Sequence, residues 1–578
     1  MAARATSYKH ASLLAFITIS FIQINEAFLP KNCASSESLS FKECCPVPFG
    51  LTGKCGGPRR GRCVELQPLV IDPVKGFGGD LDRFQWPTQF VQRACNCLGN
   101  FDGADCSSCK FGWTGPNCDV PKTRTRRNIL TMPREEVNKF QSYLHQAKDT
   151  VSDYMIPTTL YNDMDNGRNP KFNEINVYDE FVWMHYFAAR RNLVKRRKTK
   201  HKDVPSVVQA DFAHAGPAFL TWHRAYLLLW ERALQKISGD EDFTIPYWDW
   251  AGERDCTVCT DKYVGGSDKK DHTLTGSFSN WRVLCHDFQE LTEEGQLCSN
   301  DPDASTLPFV ERNPGGDANV ERQKLPTRDA MYYALSVRKY DNVPIRYRYL
   351  KNTWSESHCS FRNILEGFSD SENGTGLFID GFSQLHNMVH GYMNGTIGSV
   401  PTASNDPLFL LHHSNVDRIF EKWLRRHRVA RDEFPSKSTP MGHNRYSYMV
   451  PFFPVYTNDE FFQRSEHFGY TYDDIDSQGL PLDPIERHRE EKAVKRMKKC
   501  QMPTHSGILD DGIGIAGDGT SVKQLPTHLT PDTSTLHHTS DDSNTPAVVG
   551  GVLLVVVIAA VVVGAIVFRR PRRGYQKI

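Results

Sequence analysis

Helical periodicity dominates the hydrophobic pattern between about residues 131 and 472. Apolar residues recur every three or four positions over residues 219–237 and 407–426, and two shorter stretches, 180–191 and 382–392, show the same spacing. That spacing places the apolar side chains of each segment on one helical face. We therefore predict a mainly α fold in which four helices pack around a common core, as in a four-helix bundle.

The two ends of the chain have a different pattern. A basic start followed by a short apolar run indicates a secretory signal peptide over residues 1–27, with an uncleaved anchor as the alternative. Residues 547–568 are apolar throughout, enough for a helix that crosses a hydrocarbon core of about 30 Å. Four arginines follow at once, which favours a cytosolic position for residues 569–578. We predict one C-terminal transmembrane helix and a lumenal or extracellular main body.

The cysteines divide the main body. Ten of the 16 cysteines lie between Cys33 and Cys118, in a stretch rich in glycine and proline. Such a stretch buries little core, so we predict a disulfide-rich, EGF-like segment over residues 28–122. A globular domain is predicted over residues 123–480, followed by a charged, flexible stalk over residues 481–546.

Four later cysteines are expected to form two bridges, because an oxidising compartment favours disulfides over a zinc site. They are Cys256, Cys259, Cys285 and Cys298. The sequence leaves open whether Cys359 and Cys500 pair.

The overall charge argues against one class of partner. The chain has 69 basic and 68 acidic residues, a net charge of +1. Two basic clusters, residues 122–127 and 195–202, lie between the periodic segments and are interpreted as solvated loops. We expect no nucleic-acid partner.

Six histidines in apolar surroundings suggest two neighbouring metal ions. They form two groups of three along the chain: His185, His214 and His223, then His386, His390 and His413. His386 and His390 are spaced i, i+4, so both imidazoles lie on one helical face and can reach one ion. His214 is expected in a loop, just before the helix that carries His223.

The ligand type narrows the choice of metal. Imidazole suits copper, zinc, iron and nickel, whereas oxygen ligands suit magnesium, calcium or manganese. Neutral nitrogen donors leave copper able to change its oxidation state, and two such sites about 3.5–4 Å apart could bind O2 between them. We predict two copper ions, with zinc as the main alternative and iron or a purely structural role for the histidines as further ones.

The helix that carries His413 leaves two choices open. In a regular helix only one of His412 and His413 can point at the metal, and we favour His413 because it shares a face with Asp417. We interpret Asp417 as a carboxylate that orients an imidazole, with a salt bridge on the helix surface as the alternative. Three further histidines lie outside the apolar clusters and are predicted to be surface residues: His427, His443 and His467.

Long motifs surround these histidines: FVWMHY, DFAHAGPAFLTWHR, IPYWDW, FRNILEGF, HNMVHGYMNGT and NDPLFLLHHSNVDRIFEKWLRRHR. They resemble the CuA and CuB signatures of the type 3 copper proteins, which include tyrosinases, catechol oxidases and haemocyanins. The similarity is greatest to the animal melanogenic tyrosinases, covers roughly residues 30–475 and extends to the layout of the tail. It implies that residues 123–480 form a catalytic domain with one copper ion on each group of three histidines.

The resemblance also implies an activity. Members hydroxylate a phenol with O2 and oxidise the product to an o-quinone, which here suggests L-tyrosine and L-DOPA as substrates and melanin as the end product. Positions matching Glu366 and Asn387 are thought to hold a water that takes the phenol proton. A base is required, because a phenol ionises with a pKa of about 10. The alternative for Glu366 is an ordinary buried, hydrogen-bonded acid.

Several positions distinguish tyrosinases from tyrosinase-related proteins, which handle dopachrome or carboxylated indoles and can carry zinc. Phe368, Ser383 and Val400, expected near the substrate pocket, fit the tyrosinase pattern, as does the histidine doublet. Residues 402–403 depart from it.

Two further features concern the location of the protein. Asn373 and Asn394 begin NGT sequons, which are glycosylated only in the secretory pathway. The last four residues, 575–578, begin with Tyr575 and resemble YxxΦ sorting signals that adaptors read. We expect a single-pass type I membrane protein of the melanosome or a related endosomal organelle.

Our leading interpretation is a copper-dependent monophenol and o-diphenol oxidase. The main alternative is a tyrosinase-related protein, either a dopachrome tautomerase or an indole-carboxylate oxidase. An oxygen carrier like haemocyanin is disfavoured by the predicted membrane anchor. An adhesion or receptor role for the EGF-like segment is a further alternative.

Overall fold

The computed structural model describes twelve parts of the chain: residues 29–67, 83, 86–157, 172–190, 192–193, 207–208, 211–285, 307–316, 323–341, 360–367, 385–436 and 439–496. Nine α-helices lie in this described part: α1 Ser36–Phe41, α2 Arg134–Asp149, α3 Val177–Ala189, α4 Ala218–Ser238, α5 Arg328–Ser336, α6 Phe361–Glu366, α7 Leu385–Met393, α8 Leu408–His427 and α9 Pro484–Arg496. The prediction of a mainly α fold is confirmed.

Helices α3, α4, α7 and α8 correspond to the four helices predicted from periodicity. Helix α3 begins where the Asn176 side chain accepts a hydrogen bond from the N–H of Asp179, and α4 ends at Gly239 in the left-handed conformation. Helices α4 and α8 pack against each other. Helix α8 lies at the centre, because every residue from Leu408 to Arg425 is buried.

The strands in the described part are short and lie around the helices. They are β1 Leu29–Pro30, β2 Glu43–Cys44, β3 Gly61–Glu65, β4 Arg93–Cys97, β5 Phe101–Asp102, β6 Ser108–Cys109, β7 Trp113–Thr114, β8 Val120–Pro121, β9 Arg124–Arg126, β10 Val151–Pro157, β11 Phe172–Asn176, β12 Asn192–Leu193, β13 Val207–Val208 and β14 Tyr470–Tyr472. Two three-stranded sheets have the orders β1-β10-β11 and β2-β4-β3, and the others are pairs. Strand β9 pairs in parallel with β14, with Arg124 opposite Tyr470.

The cysteine-rich segment is held by disulfides, as predicted. Its five bridges are Cys33–Cys44, Cys45–Cys63, Cys55–Cys95, Cys97–Cys106 and Cys109–Cys118. Cys256 pairs with Cys259, which excludes a zinc site at that CxxC pair. Cys285 is also disulfide-bonded. Cys298, Cys359 and Cys500 lie outside the described residues.

The cysteine-rich segment packs closely on the helical domain. Gly112 and Gly469 meet backbone to backbone, and a Cβ on Gly112 would lie 2.8 Å from the backbone nitrogen of Gly469. The Arg232 guanidinium on α4 donates to Asp102 at 2.9 Å. Tyr456 donates to the same carboxylate at 3.1 Å. This junction is therefore both sterically tight and charged.

The first part of the segment predicted as a charged, flexible stalk forms helix α9, and part of this helix is buried. Helix α9 packs against α5, and Glu490 is 1% exposed beside Arg426. No helix in the described ranges is both long enough and apolar enough to cross a bilayer. The predicted signal peptide, transmembrane helix and tail, and stalk residues 497–546, lie outside the described residues.

Candidate metal centre

The first group of histidines converges in the core. His185 comes from α3 and His223 from α4, whereas His214 lies in the loop that precedes α4. His185 Nε2 and His214 Nε2 are 3.2 Å apart. One nitrogen from each of the three side chains falls within a cluster no wider than 4.8 Å. All three side chains are buried.

The second group converges in the same way on α7 and α8. His386 Nε2 and His390 Nε2, one turn apart on α7, are 3.1 Å apart. His412 and His413 of α8 both belong to this cluster, again within 4.8 Å. The ring of His412 stacks on that of His386 at 5.0 Å. His412 therefore lies beside the second group as well, and the choice of His413 over His412 as the metal ligand stays a prediction.

The two groups adjoin each other. The rings of His223 and His413 stack with their centroids 4.3 Å apart. Two phenylalanines enclose the site, each four residues before a histidine on its own helix. Phe219 contacts His386 at 4.7 Å, and Phe409 stacks on His413 at 4.1 Å. These rings give the space between the two groups an apolar lining.

Hydrogen bonds at the outer ring nitrogens fix the tautomers. The Nδ1 atoms of His223, His386 and His390 donate to the carbonyls of Phe219, Glu366 and Ile397, at 2.8, 3.2 and 2.6 Å respectively. A carbonyl only accepts, so each Nδ1 carries the proton and each Nε2 presents a lone pair.

The inner nitrogens need a cation. In the pair formed by His386 and His390, two Nε2 lone pairs face each other across 3.1 Å. His223 Nε2 and both ring nitrogens of His413 are buried without a hydrogen-bond partner among the described residues. Orphaned, converging imidazole nitrogens whose outer N–H groups are bonded are the arrangement found around bound metal ions. The residues present therefore fit two metal ions.

The electrostatic environment keeps most of these imidazoles neutral. Burial, reinforced by neighbouring imidazoles, lowers the pKa well below its ordinary value for His185, His223, His386, His412 and His413. Burial lowers the pKa of His390 to about 4. Burial alone would lower the pKa of His214, but the Asp211 carboxylate outweighs it and raises that pKa. Neutral imidazole is the form that binds metals.

Glu366 and Asn387 lie beside the second group. The Glu366 carboxylate accepts from the Arg362 guanidinium at 2.6 Å and from the backbone N–H of Ala215. Burial raises the pKa of Glu366, although Arg362 opposes this. The Asn387 Oδ1 atom is 2.9 Å from His386 Nδ1. Glu366 thus contacts both the loop of His214 and, through its carbonyl, His386.

Of the three predicted pocket residues, Val400 lies in the described part of the chain. Val400 is exposed, and its backbone interacts with His185. Phe368 and Ser383 lie outside the described residues, as does the sequon residue Asn373. The other sequon residue, Asn394, is partly exposed and accepts from the N–H of Gly395 at 2.8 Å.

The interpretation of Asp417 is wrong in both of its forms. Its carboxylate is buried and accepts from Arg224 at 2.6 Å and Arg126 at 2.9 Å, and from two tyrosine hydroxyls. These partners occupy both oxygens, so Asp417 neither orients an imidazole nor lies on the helix surface. It joins α4 to α8 through a buried ion pair.

His443 was predicted to be a surface residue, and this is also wrong. It is 1% exposed and contacts the loop that carries His214. His427 is partly buried and hydrogen-bonds to the carbonyl of Leu335 at 2.9 Å. His467 is exposed, as predicted.

The fold and these clusters define a helical protein with a binuclear, all-histidine metal centre. The family profile described as "Common central domain of tyrosinase" matches residues 175–426. The tyrosinase of Felis catus is 44% identical over 453 residues, covering 77% of this chain and 82% of that protein. The "5,6-dihydroxyindole-2-carboxylic acid oxidase" of Gallus gallus is 37% identical, covering 78% and 83%. A solved polyphenol oxidase from Thermothelomyces thermophila, at 16% identity and a TM-score of 0.37, covers 61% of this chain and 88% of its own.

The chain belongs to the tyrosinase family. It is an oxidoreductase of the tyrosinase class, and it is more similar to animal tyrosinases than to the indole-carboxylate oxidase of Gallus gallus. The family assignment implies O2 and small phenols as the reactants.

Proposed function

We propose that the chain is a copper-dependent monophenol and o-diphenol oxidase that converts L-tyrosine and L-DOPA to dopaquinone and so begins melanin synthesis. The observation that carries the proposal is the pair of adjoining imidazole clusters with orphaned inner nitrogens. His185, His214 and His223 would hold one copper ion, and His386, His390 and His413 the other. Two bound copper ions would supply the redox chemistry by which O2 is reduced.

The surrounding residues prepare the site for a phenol. Phe219 and Phe409 keep the space between the clusters apolar, which suits an aromatic ring. Val400 stands at the exposed edge beside His185, where a substrate would enter. We assign Phe368 and Ser383 to the same pocket because these positions fit the tyrosinase pattern.

A phenol must lose its proton before it is hydroxylated, and we assign this step to Glu366 and Asn387. The Asn387 amide oxygen is directed at His386 Nδ1, which leaves its NH2 group as a donor for a water. We assign the role of proton acceptor for that water to the Glu366 carboxylate, which Arg362 and the N–H of Ala215 hold in place. Because Glu366 also binds the loop of His214, its replacement must be assayed for metal content as well as for turnover.

The test uses the full chain purified in detergent, loaded with copper or with zinc, and assayed on L-tyrosine and L-DOPA. We expect copper-dependent oxidation of both substrates and none with zinc. His390→Ala should lower diphenolase activity at least about 100-fold, while the matched control His467→Ala, at an exposed histidine, should not change it.

The other outcomes have definite meanings. Oxidation of L-DOPA alone would indicate a catechol oxidase and would contradict the role given to Glu366 and Asn387. Activity on neither substrate, with zinc retained, would overturn the proposal in favour of a dopachrome tautomerase. Full activity of His390→Ala would contradict the assignment of the second metal site.

We also infer a single-pass type I membrane protein of a melanosome-like organelle, with the catalytic domain lumenal. The six disulfide bridges resolved in the described ranges support an oxidising compartment. The apolar segment 547–568 would be the anchor, and a sorting adaptor would bind Tyr575–Ile578. We expect glycans at Asn373 and Asn394, and loss of one glycan from Asn394→Gln on endoglycosidase gels would test the orientation.

A further inference from the structure

One of the six proposed metal histidines is not held by a helix. His214 lies between α3 and α4 in a loop that ends at Ala218, the first residue of α4. Within that loop, the Asp211 carboxylate accepts from the backbone N–H groups of Ala213 and His214 and lies 3.1 Å from His214 Nδ1. These bonds order the loop internally, and the N–H of Ala215 attaches its middle to the Glu366 carboxylate.

His443 attaches the two ends of the loop. Its Nδ1 atom accepts a hydrogen bond from the N–H of Ala218 at 3.1 Å, and its Nε2 atom donates to the carbonyl of Asp211 at 2.7 Å. One neutral imidazole therefore joins the first and last residues of the loop. A carbonyl accepts and an N–H donates, so both bonds require the same tautomer.

The loop and the His443 ring are matched in shape. Gly216 lies directly under the ring, and a Cβ there would be 2.5 Å from His443 Nδ1. The segment around His443 is itself fixed, because Asn458 donates to the carbonyls of Gly442 and Asn444, both at 2.9 Å. Thr221 of α4 donates to Asn458 at 3.2 Å. The imidazole thus occupies a fixed position against a loop that leaves room only for a glycine.

We propose that His443 is a positioning residue for the first metal site: it fixes the loop that carries His214, and occupancy of that site depends on it. The inference rests on the proposed function, since it takes His214 to be a metal ligand. His443 does not contact a metal-binding nitrogen, so it acts through the backbone of residues 211–218.

The test compares buried His443 with partly buried His427. His443→Phe keeps a planar ring and removes both hydrogen bonds, whereas His427→Phe, the matched control, removes one hydrogen bond at the far end of α8. Copper per chain is measured by mass spectrometry after dialysis of the full chain against limiting copper. We expect about two copper ions in the wild type and in His427→Phe, and about one in His443→Phe.

Hydrogen exchange provides a readout that needs no metal. In the metal-free chain, amides of residues 211–218 should exchange about tenfold or more faster in His443→Phe than in the wild type, because the two bonds that close the loop are lost. Amides of α7 should keep their rates. His443→Asn, whose amide oxygen can still accept from Ala218, should lie between the two.

Gly216→Ala approaches the same contact from the other side, and we expect it too to hold about one copper ion. Two copper ions in both His443→Phe and Gly216→Ala, with unchanged exchange of residues 211–218, would overturn the proposal. A wild type that binds no copper, combined with the expected change in exchange, would instead contradict the proposed function and leave the loop attachment supported. General unfolding of His443→Phe would appear as faster exchange in α7, and Gly216→Ala would then decide.

Discussion

Replacing Asp417 with asparagine should cost much stability and leave both metal sites intact. The change keeps the shape of the side chain and removes the charge that faces Arg126 and Arg224, each fully buried. Asparagine can accept on one side only, so either Arg224 or the group around Arg126 loses its acceptor. Breaking a buried ion pair by removing one partner costs about 3–5 kcal/mol.

The expected change in melting temperature follows from the size of the domain. Unfolding entropy of about 2.1 cal/mol/K per residue, over the roughly 360 residues that the structure describes, corresponds to about 0.75 kcal/mol per degree. Asp417→Asn should therefore lower the Tm by about 4–7 °C. Calorimetry at pH 7 of the metal-loaded chain measures this, with Asp153→Asn as the control. Asp153 pairs with Lys236 where both side chains are about 70% exposed, so its loss should change the Tm by less than about 1 °C.

Two results would refute the reasoning. A Tm within 1 °C of the wild type would mean that the buried guanidinium groups do not need Asp417. A normal Tm with the loss of one copper ion would instead support a role in orienting an imidazole, which the hydrogen bonds of Asp417 contradict.

Three further changes test other parts of the structure. Burial raises the pKa of Glu180 to about 8. Between pH 4.5 and 8 the Glu180 carboxyl therefore loses its proton only in the unfolded chain. As the pH rises through this range, the free energy of unfolding falls by up to about 1.4 kcal/mol per pH unit. Glu180→Gln should flatten that fall in melting curves, and an unchanged slope would contradict it. Gly469→Ala should lower the Tm by about 1–3 °C more than the control Gly239→Ala. Gly239 has a similar φ, but a Cβ there would meet no other atom. Equal effects of the two changes would mean that the contact between Gly469 and Gly112 is not tight. Removal of the metal by a chelator should destabilise the protein. Adding copper or zinc at 100 times its Kd should restore about 2.7 kcal/mol of unfolding free energy, whereas only copper should restore oxidation. An unchanged Tm would indicate that the clusters bind neither metal.

The sequence predicted the helices because each has a strong apolar period, and it predicted the six histidines because they lie within those helices or just before one. The sequence did not predict the surroundings of α8, because its pattern indicates one apolar face whereas the helix is buried on all sides. For that reason His412 lies in the cluster beside His413, and Asp417 meets arginines. A signal for the enclosing rings was present, since Phe219 and Phe409 each stand four residues before a histidine.

His443, which was wrongly predicted to lie on the surface, shows a different limit of sequence-based prediction. Its neighbours are mostly polar and include Pro440 and Gly442, which is typical of an exposed turn. It is buried because a loop more than 200 residues earlier in the chain docks on it, with 225 residues separating it from Ala218. Local pattern carries no information about such a contact, and only the assembled domain reveals it.

The pairing of β9 with β14 has a consequence for the order in which the domain folds during synthesis. Arg126 is buried between the ring of Tyr470, 4.0 Å away, and the carboxylate of Asp417, and its partner Tyr472 comes 346 residues later. At about 5–20 residues per second, a ribosome needs roughly 20–70 s to bridge that gap. The bridges of the cysteine-rich segment span 9 to 40 residues and can close within that time. The contacts of Arg126 with β14 cannot form until Tyr472 has been synthesised. A chain that ends before β14 therefore leaves the Arg126 guanidinium exposed, and we expect chaperones to bind such a chain.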